Sequence, residues 1–345
     1  MVESIDRLAT IAIPTFNRAK LLPRAVVSAL AQDYPSVEVL IVDNASTDET
    51  EDICRALVDQ HRHIQYMRQP FNTGPVNNFE TGLRKARGYY FMWLADDDII
   101  TNNYLRRCIE ELERGGHAIV AGQDWWYAGD DDESKPVLTG VPYRQPGGGV
   151  VPAPIVTVFQ AEPKSRVLAY VRSVDSNAAI YGVCRTETAR ALLPIRSCIG
   201  WDWLWVLGLV STGTLGVATD AGIRRNAEGI SAQWQRAGAQ LGHGKLGQCY
   251  PRILLSFEML RTCSQRLPTG TSILDREVPA AKAAIITWVR LGAIGDLTAP
   301  IRSLLHRVIP RSVSGSVHAV LRSFYRPIRS RLSPIGSRIL DRLSN

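Results

Sequence analysis

The sequence predicts an α/β protein: a doubly wound, mostly parallel sheet followed by a helical C-terminal region. Three observations predict it. Short β-branched or apolar runs alternate with stretches of helical periodicity about ten or more residues long, the pattern of strand–helix–strand units. Several of the strand-like runs end in polar, turn-forming residues. Beyond about Gly229 no strand pattern recurs, and helical segments are separated by Gly and Pro.

The elements follow in order. Leu8 to Ile13 reads as a strand, and Pro14-Thr-Phe-Asn-Arg18 follows it at once. Leu21, Leu22, Ala25, Val26, Ala29 and Leu30 recur at helical spacing, with Pro23 tolerated in the first turn. Val37 to Val42 is a second buried strand ending in Asp43-Asn-Ala-Ser46, and Ser46 with Glu49 predicts a capping box for a helix to about His61. Ile64 to Met67 is a third strand. Asn72-Thr-Gly-Pro75 breaks the chain before a helix over Phe79 to Ala86. Further helices are predicted around Leu105 to Leu112, stopped by Gly115-Gly116, and over Arg166 to Arg172, Glu187 to Leu193 and from Gly200-Trp-Asp-Trp-Leu-Trp205 onward. Ala118 to Ala121, Ala179 to Cys184 and Leu215 to Ala218 read as strands. Gly122 to Pro163 is weakly patterned, and its acid run Asp130 to Asp132, flanked by Gly129 and preceded by no strand, reads as a solvated turn.

The stretch Tyr89 to Asp98 organises the rest. Tyr90, Phe91, Trp93 and Leu94 suit a buried strand, and Asp96, Asp97 and Asp98 follow. On an extended chain, side chains two apart point the same way, so Asp96 and Asp98 are expected to share one hard cation while Asp97 faces elsewhere. A solvated acidic turn is the alternative for the tripeptide alone. Right-handed crossovers put the loops after parallel strands on one edge, so Pro14 to Arg18, Asp43 to Ser46 and Asp96 to Asp98 are expected to converge on one crevice.

The composition, 45% hydrophobic and 21% charged over 345 residues, is that of a globular protein with one large domain and additions, or two domains. Six cysteines without a C-x-x-C pair argue against a zinc site or a disulfide framework and read as reduced, mostly buried thiols. No secretory h-region is visible, and no apolar run is long enough to span a bilayer; the expected location is cytoplasmic. None of the six histidines falls in a motif. The net charge of +7 is concentrated late: from Pro300 to Asn345 there are nine arginines, no lysine and one acid, Asp341. Ile301, Leu304, Leu305 and Val308 recur at helical spacing among these arginines. Such helices suit an anionic membrane surface. A helical hairpin packed on the domain and a dimerisation element remain alternatives; nucleic acid is disfavoured, because no stacking aromatic series accompanies the charge.

With these residues in view, roughly residues 8 to 122 resemble an inverting family 2 glycosyltransferase with the GT-A fold. Pro14-Thr-Phe-Asn-Arg18 matches the family's P-x-[YF]-N-x segment. Val42-Asp-Asn-Ala-Ser-Thr-Asp48 matches V-D-D-G-S-x-D, with Asn44 and Ala45 in place of the usual Asp and Gly. Asn72-Thr-Gly74 matches the N-x-G step and Asp96-Asp-Asp98 the D-x-D motif. Trp201-Asp202-Trp203 is similar to the family's late acidic position, and Arg225-Asn-Ala-Glu-Gly-Ile-Ser231 to its R-x-H-x-x-x-x-S segment, with Asn226 where many relatives have histidine. The tract from Phe79 through Asp98 and the Trp-Asp-Trp step are similar to members acting in bacterial surface-polysaccharide assembly.

The resemblance implies a domain over 1–228, with a nucleotide-sugar half at 1–122 and an acceptor and catalytic half at 123–228, then a helical region at 229–345. It implies a nucleoside-diphosphate sugar donor contacted by Pro14, Thr15, Asn17, Arg18, Asp43, Asn72, Gly74, Asp96 and Asp97. Mg²⁺ or Mn²⁺ would be held by Asp96, Asp98 and Asn226. Asp202 would be the base that takes the acceptor's proton, its flanking tryptophans raising its pKa and stacking on sugar; a helix N-cap is the structural alternative. Asp175 is the second candidate base. The acceptor would be a saccharide or a polyprenyl-linked saccharide, with peripheral contact to the inner face of the plasma membrane. A catalytically silent scaffold of the same fold and transfer to polyprenyl phosphate are the alternatives, and a homo-oligomer is compatible with either.

Overall fold

The computed structural model describes residues 7–127, 143–144, 150–151, 157–174 and 178–226, together with isolated positions at 241, 255, 258, 259, 261 and 262. By backbone contacts the chain divides into two units, Met1–Gln233 and Trp234–Asn345. In the second, Leu255 and Met259 are buried. The architecture below is that of the first.

β1 (Ala9–Thr15) is buried at every residue and lies inside the sheet. It pairs in parallel with β2 (Val37–Asp43) on one side and β4 (Tyr90–Trp93) on the other, and β3 (Ile64–Arg68) extends the sheet beyond β2. The helices α1 (Leu22–Leu30), α2 (Thr50–Gln60) and α3 (Pro75–Lys85) are the crossovers between these strands. After β4 come β5 (Ile99–Ile100), α4 (Tyr104–Gly115), β6 (Ile119–Tyr127) and a two-stranded antiparallel pair, β7 (Tyr143–Arg144) and β8 (Val150–Val151). Then follow α5 (Pro163–Ser173), a 3₁₀ turn at Ala178–Tyr181, β9 (Val183–Arg185), α6 (Thr186–Arg190), α7 (Trp201–Thr212) and β10 (Leu215–Asn226). The main sheet runs β3-β2-β1-β4-β9-β6-β10-β5. Its order reverses between β1 and β4, so the loops after these two strands diverge and leave a crevice, the place where doubly wound sheets bind ligands. Ile11, Ile13, Val39, Ile41, Phe91 and Trp93 form the centre of the core.

Four sequence expectations are corrected. The α2 capping box does not form: the helix starts at Thr50, and Ser46 is engaged elsewhere. Asp48 takes over the capping work, its Oδ1 accepting the Thr50 N–H at 3.1 Å. The third helix starts at Pro75, because proline is well suited to a first turn where no N–H is needed. The strand expected over Ala179 to Cys184 is a 3₁₀ turn followed by the short β9, which runs antiparallel between β4 and β6. β6 and β10 run well past Ala121 and Ala218, because they pair with each other in parallel as far as Tyr127 and Asn226, with a register shift between Ala218 and Gly222. Backbone pairing, not side-chain alternation, sustains both ends. Helices expected at 229–345, the Asp130 to Asp132 turn and Asp175 lie outside the described residues.

Candidate active site

Three loops at the carboxyl edge of the sheet are stitched together by short polar side chains. Asn17, left-handed at φ 55°, donates its N–H to Ser46 Oγ at 2.9 Å, and its Oδ1 accepts the Thr47 N–H at 2.7 Å. The N–H groups of Arg18 and Ala19 reach Thr50 Oγ1 (3.1 Å) and Asp48 Oδ2 (3.2 Å). Asn44 joins the other pair of loops. Its Nδ2 donates to Asn72 Oδ1 at 2.9 Å, while its Oδ1 accepts the Thr73 N–H at 2.8 Å. Aspartate, the family's usual residue there, could not make the first of these bonds, because it has no hydrogen to donate when ionised. Asn72 Oδ1 also accepts the Gly74 N–H. Gly74 leads into α3 at φ 85°, ψ 161°, a conformation reserved for glycine. Asn78, in the first turn of α3 and buried, donates to the carbonyl of Val42 at 2.8 Å and reaches that of Thr15 at 3.4 Å. It ties the ends of β1 and β2 beneath the loops, and no sequence motif announced it.

Asp43 is buried, and its carboxylate is fully engaged by the protein. Oδ1 accepts from Ser46 N–H (2.9 Å) and Ser46 Oγ (2.5 Å), Oδ2 from Tyr66 OH (2.8 Å) and Arg68 Nη1 (2.7 Å). Arg68 also donates to the Ser46 carbonyl. The expectation that Asp43 contacts a nucleotide base is therefore replaced: it shapes the loop along which a ligand would lie. Its acceptor capacity is spent internally.

The acid triplet is a turn rather than a strand end. β4 stops at Trp93, and the Asp98 N–H bonds the Ala95 carbonyl at 3.2 Å. Strand alternation therefore does not govern these side chains. Asp96 faces the β1 loop, with the Arg18 guanidinium 3.6 Å away. Asp98 engages β10. The β5–β10 register pairs Ile100 with Ile223 and Ile99 with Arg224, so one further step brings β10 to the triplet. There the Asn226 N–H donates to Asp98 Oδ1 at 2.9 Å, and Arg225 Nε lies 3.9 Å from Asp98 Oδ2. Asp97 lies close enough to raise the pKa of both neighbours.

The electrostatics follow from this crowding. Burial, then the charge of Asp97, raises Asp96 to about 7, although the Thr15 hydroxyl, Arg18 and the Phe16 N–H oppose the shift. Burial raises Asp97 against the pull of Arg18 and Arg225. Asp98 is pushed well above the carboxylate range by burial and by Asp97, with Arg225 and the Asn226 N–H opposing. Three carboxylates thus crowd together, Asp98 buried and Asp96 and Asp97 part-buried, with the Arg18 and Arg225 guanidinium groups close to Asp96 and Asp98. An oxygen-only donor set short of positive charge fits a hard divalent cation. Among the described residues no three His, Cys, Asp or Glu side chains already converge on one point.

Asp202 lies in the first turn of α7, whose N-cap is Gly200 in the left-handed region. Its Oδ1 accepts the Trp203 N–H at 3.0 Å, so it satisfies one of the helix's free donors without being the N-cap. Its charge is felt by Tyr170, Tyr181 and Arg225, which puts it on the triplet's side of the molecule. The flanking tryptophans are committed to packing. Trp203 is buried, and Trp201 meets Phe79 edge-on at 4.9 Å and Trp93 at 6.3 Å. Trp203 is thus committed to the core, while Trp201 stays part-buried.

Asp124 and Tyr181 went unnoticed in the sequence. Asp124, on β6, is buried with its Oδ2 3.3 Å from Arg225 Nη1, and the Arg225 guanidinium sits 5.4 Å from the centre of the Tyr181 ring.

Residues 10–157 match a family model described as Glycosyl transferase family 2. The chain is similar to a GalNAc(5)-diNAcBac-PP-undecaprenol beta-1,3-glucosyltransferase of Campylobacter jejuni, 31% identical over 107 residues, 31% of this chain and 35% of that protein. It is also similar to the succinoglycan biosynthesis protein ExoO of Rhizobium meliloti, 33% identical over 119 residues, 34% of each. The chain spans less than half the length of the curated relatives it matches first. Its fold is that of the GT-A structures, as in a mannosyltransferase from Pyrobaculum calidifontis in complex with GDP-Man and Mn²⁺ (TM-score 0.51, 14% identity, 97% of this chain and 85% of that one).

Proposed function

Because the chain belongs to the family 2 glycosyltransferases through residues 10–157, we propose that it is a metal-dependent, inverting glycosyltransferase. It moves one sugar from a nucleoside diphosphate to a saccharide or polyprenyl-linked saccharide in cell-surface polysaccharide synthesis. The observation that carries this reading is the meeting, at one sheet edge, of the β1 loop, the acid triplet and the end of β10, joined by the Arg18–Asp96 and Asn226–Asp98 contacts. The names of the Campylobacter and Rhizobium relatives support the acceptor class.

In this mechanism Asp96 and Asp98 would hold Mg²⁺ or Mn²⁺, with the Asn226 side-chain carbonyl as a further oxygen. When bound, the ion acts as a Lewis acid that neutralises the charge developing on the pyrophosphate leaving group. Thr15, Asn17 and Arg18 contact ribose or phosphate, and Asn72 and Gly74 hold the neighbouring wall. Asp97 contacts the donor beside Asp96. Asp202 takes the proton from the acceptor hydroxyl as that oxygen attacks the anomeric carbon from the face opposite the leaving group, which inverts the configuration. Residues 1–122 form the donor half and 123–228 the acceptor half. The arginine-rich segment beyond Ala299 holds the enzyme on an anionic membrane surface, where a lipid-linked acceptor resides.

The test is turnover of UDP-, GDP- and dTDP-sugars with Mn²⁺ or EDTA. Donor hydrolysis that EDTA abolishes and Asp98→Ala removes supports the reading. Asp202→Asn is expected to lose transfer by about 10²–10⁴-fold while keeping donor binding. A protein that binds and cleaves no donor under any condition would refute the proposal.

A further inference from the structure

Arg225 is 2% exposed and sits between two buried carboxylates, Asp98 on the triplet and Asp124 on β6. The sheet dictates this arrangement. Asp124 pairs with Ile223 on β10, and Arg225 lies two residues along the same strand, hence on the same face. A guanidinium 3.9 Å from Asp98 favours that carboxylate's ionised form but repels any cation brought to it. Asp124, 3.3 Å from the other arm of the same guanidinium, offsets that repulsion. We propose that Asp124 is a positioning residue whose charge balances Arg225 and so leaves Asp98 available to a divalent cation. This inference rests on the proposed role of the triplet in holding that cation. It assigns a function to a strand residue outside every motif.

The readout is Mn²⁺ binding, followed by the EPR signal of free Mn²⁺ during titration of the full chain, in parallel series with UDP, GDP or dTDP. Removing Asp124 takes away one of the charges that offset Arg225, so D124N is expected to bind Mn²⁺ at least ~10-fold more weakly. R225Q is expected to bind it no more weakly than wild type, because the repelling charge is gone. The double variant D124N/R225Q removes both charges and should return to within about 3-fold of wild type. A role confined to packing predicts the opposite for the last two, which would both bind more weakly. Should D124N fail to fold, as judged by circular dichroism, R225Q and the double variant still decide. Wild-type protein that takes up no Mn²⁺ in any series would overturn the triplet's assignment, and this inference with it. Wild-type binding with R225Q and the double variant both weakened would overturn the inference alone.

Discussion

Ala45 stands where the V-D-D-G-S-x-D pattern that this segment resembles has glycine, and the structure holds it at φ 62°. For an alanine this left-handed conformation costs about 1–2 kcal/mol, from the approach of Cβ to the following carbonyl. The turn cannot relax, since Asn44 on one side and Ser46 on the other are fixed by the bonds described above. Ala45→Gly removes that strain. Against it stands the extra freedom glycine brings to the unfolded chain, about 0.4–1 kcal/mol, and a few tenths of a kcal/mol for a half-buried methyl. The net expectation is a gain of about 0.5 kcal/mol. For a unit of 233 residues that is a rise in melting temperature of ~1–2 °C, readable by near-UV circular dichroism against wild type. Ala45→Val should move the other way and further, because β-branched residues are strongly disfavoured in this region. An Ala45→Gly protein that melts lower than wild type, or an Ala45→Val protein that melts at the same temperature, would refute the strained turn.

Gly74→Ala meets no atom within 4 Å of the new Cβ, so its cost is backbone strain alone, about 1–3 kcal/mol; denaturant titration should show the loss. Asp43→Asn is expected to destabilise by about 2–3 kcal/mol, hydrogen bonds to a charged group being worth ~1.5–3 kcal/mol. It should leave the preference among UDP, GDP and dTDP unchanged, whereas direct base contact would shift it. Burial pushes Asp48 up, but the Thr50 hydroxyl and the Ala19 and Thr50 N–H groups outweigh it and hold the pKa below the usual 3.8. Its stabilising contribution is therefore complete above about pH 4 and fades as the pH falls through the depressed value. The stability difference between wild type and Asp48→Asn should shrink over that acid range, as urea titrations at stepped pH will show.

The elements legible in the sequence were those whose side chains alone decide them. β1, β2 and β4 are buried apolar runs, and α4 carries its own stop in Gly116 at φ 61°. Their order and right-handed connection sufficed to bring the β1 loop and the triplet to one crevice. What escaped was decided by partners distant in the chain. β6 continues through Gly122, Gln123 and Asp124 because β10 pairs with it there, and β9 is too short to carry a pattern. Asp43 looked like a ligand contact because it ends a strand at the right edge. Only Tyr66 and Arg68, more than twenty residues away in the chain, reveal that its oxygens are taken. The converse applies to Asp124, which reads as one polar residue in a fading strand until Arg225 is seen beside it.

The crevice combines two opposite conditions, and their combination bears on mechanism. Its loops are saturated: Asn17, Asn44, Asp43 and Asn72 bind one another and the backbone, so little conformational entropy remains to be lost when a ligand arrives. Its charges are crowded: burial holds all three acids of the triplet above their ordinary range, with Arg18 and Arg225 opposing. A site with rigid walls and unbalanced charge gains most from a ligand that brings positive charge without demanding rearrangement. Under the proposed function, a divalent ion carried in with a diphosphate would meet that demand, the ion beside the carboxylates and the phosphates beside Arg18. Mn²⁺ and nucleotide should then each tighten the other's binding, a reciprocity that paired titrations measure directly. Affinities for Mn²⁺ that are the same with and without every nucleotide tried would contradict it.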